Sequence, residues 1–306
     1  MLARNSTSSR YADFMARPNK ALGHVLVNGQ WVQKFKRDPD PESPAGGVSS
    51  SVNDLSKWLR LQLADGKFNG KQIVDAKALT ETRQPHILTN YNPFNGLPGF
   101  YGLAWNVSYD EAGRLRLNHS GAFALGAATH VNLAPTEQLG VVILANAAPT
   151  GVVEGLGTIF METALSGQAT HDWLGLFRKV FADPAAIGVV VGFDYSKLPA
   201  TSSAALPNSA YVGDYLNDYY GDASIVENDG GLAMILGPGK RMFPMKHYDR
   251  DTFTYETVGE NAVGASGVIF TVGPDGKAAQ LVIENLNERG EGRFQRASAE
   301  KAEKPR

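Results

Sequence analysis

A histidine, a serine and a glycine stand side by side in the run Leu-Arg-Leu-Asn-His-Ser-Gly-Ala that begins at residue 115. Side chains alternate between the two faces of a strand, so His119 and Gly121 are expected on one face and Ser120 on the other. An imidazole can share a proton, a hydroxyl can bind a ligand, and a glycine lets a ligand approach the backbone. The triplet predicts a polar binding surface on a strand. The alternative is a structural histidine beside a glycine bulge.

The composition excludes several kinds of site. The 306 residues contain no cysteine, which rules out disulfides, thiol nucleophiles and cysteine-based metal sites. The six histidines lack the His-x-x-x-His and His-x-His spacings, so we expect no metal, and we expect no cofactor. A net charge of -2 without a basic cluster gives no reason to expect nucleic acid.

The elements that must position the triplet are strands and helices of an α/β layer. Residues 1–48 are predicted to form a surface excursion with a hairpin at Asn28-Gly29. A helix is predicted to begin at the N-cap Ser51, with Asp54 as its capping-box acid, and to end at Gly66; a second should span about Asp75 to Arg83. Three antiparallel strands are predicted at about 101–108, 114–122 continuing to 133, and 139–145, followed by two helices within 152–181, broken near residue 167.

The remainder of the chain predicts a second domain. Residues 1–183 form the first domain, residues 184–206 read as a linker, residues 207–297 contain many short strands separated by Gly, Asn and Asp, and residues 298–306 form a charged tail. The second domain is therefore expected to be all-β, either a small barrel or a sandwich.

Three blocks in a fixed order carry a family resemblance. They are Pro-Ala-Gly-Gly-Val-Ser-Ser-Ser-Val-Asn-Asp-Leu-Ser-Lys-Trp-Leu at 44–59, Tyr-Gly-Leu-Ala-Trp at 101–105, and His-Ser-Gly at 119–121. Together they resemble the serine β-lactamase and penicillin-binding-protein-like hydrolases, in particular the class C and esterase branch. The C-terminal module resembles the β-barrel domain often appended to these hydrolases.

The resemblance implies a fold, a reaction and a site. The fold would be an incomplete β-lactamase/transpeptidase-like α/β domain, with an antiparallel sheet flanked by helices, followed by the barrel-like domain. The reaction would be acyl transfer to water from a small-molecule ester, amide or β-lactam. His119 would be the cationic or proton-sharing catalytic residue, Ser120 and Gly121 would bind substrate, and the backbone N–H of Ala122 would be the second oxyanion-hole donor.

The nucleophile motif of the family is missing from the expected place. Ser-x-x-Lys occurs once, at 298–301 in the charged tail, and Tyr-x-Asn occurs once, at 215–217, beyond the His-Ser-Gly strand. Residues 51–53 match a Ser-x-Asn variant but coincide with the predicted helix cap. We therefore expect the C-terminal part of a serine hydrolase, nearly inactive by itself. The alternative is a non-catalytic ligand- or partner-binding protein, a pseudoenzyme, so enzymatic activity stays open.

Location is also left open by the sequence. Members of the resembled family are commonly periplasmic or secreted, yet the first residues show no signal-peptide pattern, and no apolar run reaches the length of a membrane span. An incomplete sheet would leave an edge strand without a partner, so self-association through that edge is expected.

Overall fold

The computed structural model describes residues 6–183, 193–195, 197, 199–259 and 262–298. The chain divides into two compact units, Met1–Asp183 and Pro184–Arg306. Within the predicted linker, residues 184–192, 196 and 198 lie outside the described residues, as do residues 299–306 of the predicted tail.

The first unit combines short helices with a sheet. Its helices are α1 (Tyr11–Met15), α2 (Ser43–Gly46), α3 (Val52–Leu63), α4 (Ala76–Thr82), α5 (Val152–Ser166) and α6 (Trp173–Ala182), with a 3₁₀ turn at Asp40–Glu42. Its strands are β1 (Val25–Val27), β2 (Gln30–Val32), β3 (Lys67–Phe68), β4 (Lys71–Gln72), β5 (Ile87–Tyr91), β6 (Pro98–Tyr101), β7 (Asn106–Tyr109), β8 (Leu115–Phe123), β9 (Ala127–Ala134) and β10 (Leu139–Ala145).

Six of these strands form one antiparallel sheet in the order β10-β9-β8-β7-β6-β5, which confirms the α/β fold class. Two strand predictions were wrong. The strand expected to continue to residue 133 is a hairpin, because the chain turns between β8 and β9 with a hydrogen bond from Gly126 N–H to the Phe123 carbonyl. The strand expected at 101–108 is divided into β6 and β7 around Ala104, whose φ is 66°. Strand β5 was not predicted, because all five of its residues are exposed and give no alternating pattern.

The two predicted helix starts are confirmed. Ser51 accepts a hydrogen bond from the Asp54 N–H and caps α3, and Asp75 accepts from two N–H groups and caps α4. The capping-box role of the Asp54 side chain was wrong. Its carboxylate instead accepts hydrogen bonds from Lys57, from the Ser6 N–H and from Thr7, and these lower the pKa of Asp54 against the opposing effect of burial.

Both faces of the sheet are covered by helices. Leu59 of α3 packs in a core cluster with Leu117 of β8 and Leu133 of β9. His130 of β9 lies one strand position from residue 131 and three from residue 133, so it points to the opposite face, where its ring contacts Gly157 of α5. The sheet thus separates an apolar layer under α3 from a layer under α5 that contains polar side chains.

The second unit is a closed antiparallel barrel of eight strands, in which β11 pairs with both its neighbour β12 and the last strand β18. The strands are β11 (Gly213–Leu216), β12 (Ala223–Asn228), β13 (Gly231–Leu236), β14 (Arg241–Asp249), β15 (Thr252–Glu256), β16 (Ala265–Val272), β17 (Ala278–Ile283) and β18 (Arg293–Arg296), with 3₁₀ turns at Asn208–Ala210 and Glu284–Leu286. The described part of the predicted linker is bonded to this barrel. Ser202 donates to the Tyr248 carbonyl, and the Ser203 N–H donates to Asp249.

Candidate active site

The three sequence blocks meet at the centre of the sheet. Trp58 of α3 stacks on Trp105 with ring centroids 5.8 Å apart and planes 17° from parallel. At the other end of the second block, the Tyr101 hydroxyl lies 3.0 Å from Nε2 of His119. The fold therefore joins the helix block to the tyrosine block, and the tyrosine block to the His-Ser-Gly strand.

His119 is held by hydrogen bonds on both ring nitrogens. Its Nδ1 lies 2.9 Å from the backbone carbonyl oxygen of Ser120, which can only accept, so Nδ1 carries the proton. In the neutral ring, Nε2 then has a free lone pair and accepts the hydrogen bond from the Tyr101 hydroxyl. The arrangement gives a half-buried imidazole whose basic nitrogen is aimed at a phenol.

One edge of the β8 segment beside His119 is open. The pairing of β7 with β8 ends at Asn106 opposite Asn118, whereas β9 continues alongside β8 as far as Phe123. Within the described part of the chain, residues 119–123 therefore have a strand partner on one side. Backbone groups along such an edge can pair with an extended ligand, although the Ser120 carbonyl already accepts from Nδ1 of His119. Ala122, the predicted oxyanion-hole residue, is in this segment and is exposed.

Gly121 is required by packing within the protein. A Cβ built at this position would lie 2.5 Å from Oγ1 of Thr129 and 2.8 Å from the ring of Phe123. The prediction that its missing side chain makes room for a ligand is therefore not supported, because neighbouring side chains already fill that space.

Ser120 points away from His119. Its hydroxyl lies 2.9 Å from Nδ1 of His130, its cross-strand partner on the face covered by α5. The alternation predicted for His119 and Ser120 is thus confirmed by their separate partners. The expected contact between the Ser120 hydroxyl and a substrate on the His119 side receives no support from this geometry.

Sequence reasoning gave no role to three side chains close to the triplet. Tyr101 stands in a block that was recognised only as a family marker. His130 lies in a largely apolar strand, and a histidine at that position was the signal that could have identified it. Arg37 stacks on the Phe123 ring, 4.1 Å from its centroid, and donates to the Gly46 carbonyl. No sequence pattern connects Arg37, in the N-terminal excursion, with β8.

Neither a metal cluster nor a membrane helix was found in the described residues. There, no group of three His, Asp or Glu side chains is arranged to hold a metal ion. No helix in the same part of the chain is long and apolar enough to cross a membrane.

Two family models match the chain. The model described as Beta-lactamase matches residues 2–162, more than half of the 306 residues. A domain of unknown function, DUF3471, matches residues 197–296, the region of the barrel. The search of curated proteins found no match.

Solved structures of similar proteins cover from about a third of the chain to nearly all of it. The C-terminal domain of penicillin binding protein Rv0907 is 34% identical, with 35% of this chain and 98% of that one covered and a TM-score of 0.30. The octameric penicillin-binding protein homologue from Pyrococcus abyssi is 16% identical, with 95% and 56% covered and a TM-score of 0.43. The class C beta-lactamase from Rhodobacter sphaeroides is 20% identical, with 49% and 47% covered and a TM-score of 0.37. The chain thus spans about half the length of the latter two proteins.

Proposed function

The chain belongs to the beta-lactamase family, and from this premise we propose that β8 is one wall of a serine-hydrolase site for acyl transfer to water. The substrate class is a small-molecule ester, amide or β-lactam, each of which presents a carbonyl to the strand. In this proposal the 306 residues contribute the strand side of the site, as the C-terminal part of a hydrolase, and do not contribute the acylating serine.

The observation that carries the proposal is the open edge of residues 119–123 beside a hydrogen-bonded imidazole. A substrate with an extended backbone can pair with this edge as a further strand does. The exposed Ala122 is in the same segment, and its N–H is proposed as an oxyanion-hole donor. Removal of one such donor typically costs about 10²–10³ in rate.

His119 and Tyr101 are proposed to handle the proton on this side of the substrate. With Nδ1–H held by the Ser120 carbonyl, Nε2 accepts from the Tyr101 hydroxyl, so a proton can pass from phenol to imidazole without movement of either side chain. Because the transfer leaves a phenolate on Tyr101, the pair stays neutral overall, and the positive charge that the resemblance assigns to His119 would lie beside this phenolate.

The chain by itself is proposed to be inactive. The Ser120 hydroxyl is bonded to His130 under α5, away from the His119 side, so it does not serve as nucleophile for a carbonyl at the open edge. The one Ser-x-x-Lys of the sequence, at 298–301, stands in a charged run, and its lysine lies outside the described residues.

The proposal is tested by a ¹H–¹⁵N NMR titration of the full chain with benzylpenicillin. Saturable shifts confined to the amides of residues 119–123 and to the Tyr101 region are expected, and His119→Ala should weaken them severalfold. Barrel amides serve as the internal control. No shift at residues 119–123 at millimolar ligand, or shifts unaffected by His119→Ala, would refute the assignment of this strand as the substrate wall.

A second candidate, a non-catalytic binding protein, is favoured by the same orientation of Ser120. A pseudoenzyme would use the open edge to hold a ligand or peptide without acylation. It predicts that an unreactive extended peptide shifts residues 119–123 at lower concentration than benzylpenicillin does. The hydrolase proposal predicts tighter binding of the β-lactam.

A further inference from the structure

A small polar cluster lies buried behind the proposed substrate wall. It consists of Ser120 on β8, His130 on β9 and Glu154 on α5. The side chains of His130 and Glu154 are each 6% exposed. Around them the layer is apolar, with Ala128, Val153 and Met161 also buried. Buried polar groups in such a layer are costly unless they are paired, so this cluster calls for a physical reason.

The backbone is shaped to accept the imidazole. Ser120 and His130 are directly opposite each other in the β8–β9 pairing, and their side chains meet with 2.9 Å between Oγ and Nδ1. On the helix side, a Cβ at position 157 would come within 2.9 Å of Nε2 and closer still to Cδ2. Gly157 therefore lets α5 pack directly on the ring, in place of a residue that favours helix more strongly.

The hydrogen-bonding capacity of the cluster fixes its protonation. Burial lowers the pKa of His130 to about 4, with a smaller contribution from His119, so the ring is neutral near pH 7. Nε2 of His130 has no partner in the described part of the chain, and a buried lone pair without a partner costs less than a buried N–H. The proton therefore resides on Nδ1, which donates to the Ser120 oxygen.

Ser120 then has its own proton to offer to Glu154. Burial raises the pKa of this carboxyl group, while Ser120 acts in the opposite direction by stabilising its charged form. Neither carboxyl oxygen has a hydrogen bond of normal geometry within the described residues, and the charged carboxylate is favoured first by the backbone of Glu154 itself and then by Ser120. The hydrogen bond that the geometry fixes runs from His130 to Ser120, with Glu154 beside it.

We propose that His130 is a positioning residue of the substrate wall: through Ser120, it fixes the backbone that carries Gly121 and Ala122. The inference rests on the proposed function, because the fixed segment is the proposed oxyanion strand. Past the end of β7, residues 119–123 are held by β9 alone among the described strands. The bond from His130 adds a side-chain anchor to this one-sided pairing, at the residue next to Gly121. A backbone N–H that stabilises a transition state must be held in a fixed position before the reaction.

Titratable groups reach the cluster from two elements. Glu154 of α5 lies near Ser120, and His119 of β8 acts on His130 electrostatically from the opposite face of the sheet. Ile143 of β10 is the apolar cross-strand neighbour of His130. Further along the same face, Arg116 donates to Asn132 at 3.3 Å. A pH effect on the segment between pH 6.5 and 4 can therefore be assigned with variants of His130 and Glu154.

The test compares His130→Asn with His130→Leu in the full chain. Asparagine keeps an amide donor near the position of Nδ1 but cannot titrate, whereas leucine removes the donor. In His130→Leu we expect displaced amide signals for Gly121 and Ala122 and about 5- to 10-fold faster hydrogen exchange there, the effect of one lost hydrogen bond. His130→Asn should restore both at pH 7 and abolish their titration toward pH 4.

The proposal is overturned if His130→Leu leaves the two amides in place, or if His130→Asn behaves like the leucine variant. Should His130→Leu fail to fold, Ser120→Ala decides the question, because it removes the same hydrogen bond without filling the space with a larger apolar side chain. These measurements involve no substrate. If the amides move as expected but benzylpenicillin does not bind, the positioning role stands and the proposed function falls.

Discussion

The barrel and the sheet unit bury different kinds of side chain. In the described residues, the buried polar side chains of the barrel are Thr254 and Ser266, inside a core of aromatic and aliphatic groups. The sheet unit buries Asp54, Gln62, His130, Asn132 and Glu154. A closed barrel can satisfy its backbone within the sheet and fill its interior with apolar groups. The sheet unit instead keeps charged and amide side chains within its interior.

The two units also differ at their edges. The barrel closes through the pairing of β11 with β18, so every strand has two neighbours. The sheet ends in β10 on one side and in the fully exposed β5 on the other. The barrel therefore leaves no strand edge unpaired, whereas the sheet unit exposes backbone groups and apolar side chains that another chain segment can cover.

The largest effect should come from breaking the apolar core of the barrel. Phe294 is fully buried, and Phe294→Ala should lower the free energy of unfolding of the barrel by about 3–5 kcal/mol through lost burial and a residual cavity. Chemical denaturation followed by barrel NMR signals measures this loss. The exposed Arg293 on the same strand provides the control, since Arg293→Ala should change stability by less than about 0.5 kcal/mol. Equal losses would contradict the barrel core described above.

The next effect is the pH dependence of the sheet unit. The pKa of His130 is about 4 when folded and 6.5 when unfolded, so between these values the unfolded chain binds a proton that the folded chain does not. Stability should fall by about 3 kcal/mol as the pH falls through this window. Tryptophan fluorescence follows it, because all four tryptophans lie in the first 183 residues. His130→Asn should flatten the profile.

Glu154 should act with the opposite sign. Its pKa is raised on folding, so the folded chain holds a proton longer than the unfolded chain, and its contribution to stability falls as the pH rises through the folded value. Glu154→Gln should therefore steepen the loss on the acid side. A shallower acid limb in this variant would show that the two groups are not arranged as described.

A smaller effect concerns β5, the edge strand of the sheet. Leu88 of β5 is 51% exposed, and we expect the chain to self-associate through this edge at high concentration. Leu88→Lys should raise the dissociation constant about tenfold, since a charge on an edge strand opposes pairing. Sedimentation equilibrium measures it. Ala112→Lys, in an exposed turn, adds the same charge elsewhere and should leave association unchanged. A wild-type chain that stays monomeric at high concentration would contradict the predicted self-association.

The smallest effect isolates one hydrogen bond of the site. Tyr101→Phe removes the hydroxyl that lies 3.0 Å from His119 and should cost about 1 kcal/mol in the free energy of unfolding of the sheet unit. The exposed Tyr109 offers a matched control, for which Tyr109→Phe should be neutral. Denaturation followed by tryptophan fluorescence compares the two. Equal effects would mean that the Tyr101 hydroxyl contributes nothing specific.

The sequence predicted elements whose signals are local. Capping residues, alternation and turn residues within a few positions predicted the Ser51 cap of α3, the start of α4 near Asp75, antiparallel strands and an all-β second unit. The sequence did not predict β5, whose side chains are all exposed, nor the break at Ala104. Strand β5 forms by pairing with β6 although its side chains carry no pattern, and Ala104 takes a left-handed backbone conformation that its residue type does not signal.

The candidate site was predicted in its location and less well in its contacts. His119 and Ser120 diverge as strand alternation requires. Strand register brings Tyr101 to His119 and His130 to the Ser120 hydroxyl. Short-range sequence patterns do not determine this register. The packing reason for Gly121 depends on Thr129 across the hairpin and was likewise outside local reasoning.

The intact mass of the folded chain decides whether β8 forms a substrate wall without an acylating serine in the same chain. The chain is incubated with a fluorophosphonate and, separately, with benzylpenicillin, and each sample is weighed by mass spectrometry. We expect an unchanged mass in both samples, because the Ser120 hydroxyl is hydrogen-bonded to His130 beneath α5. A stoichiometric adduct on Ser120 or on Ser51 would contradict this expectation and would show that the chain carries its own nucleophile.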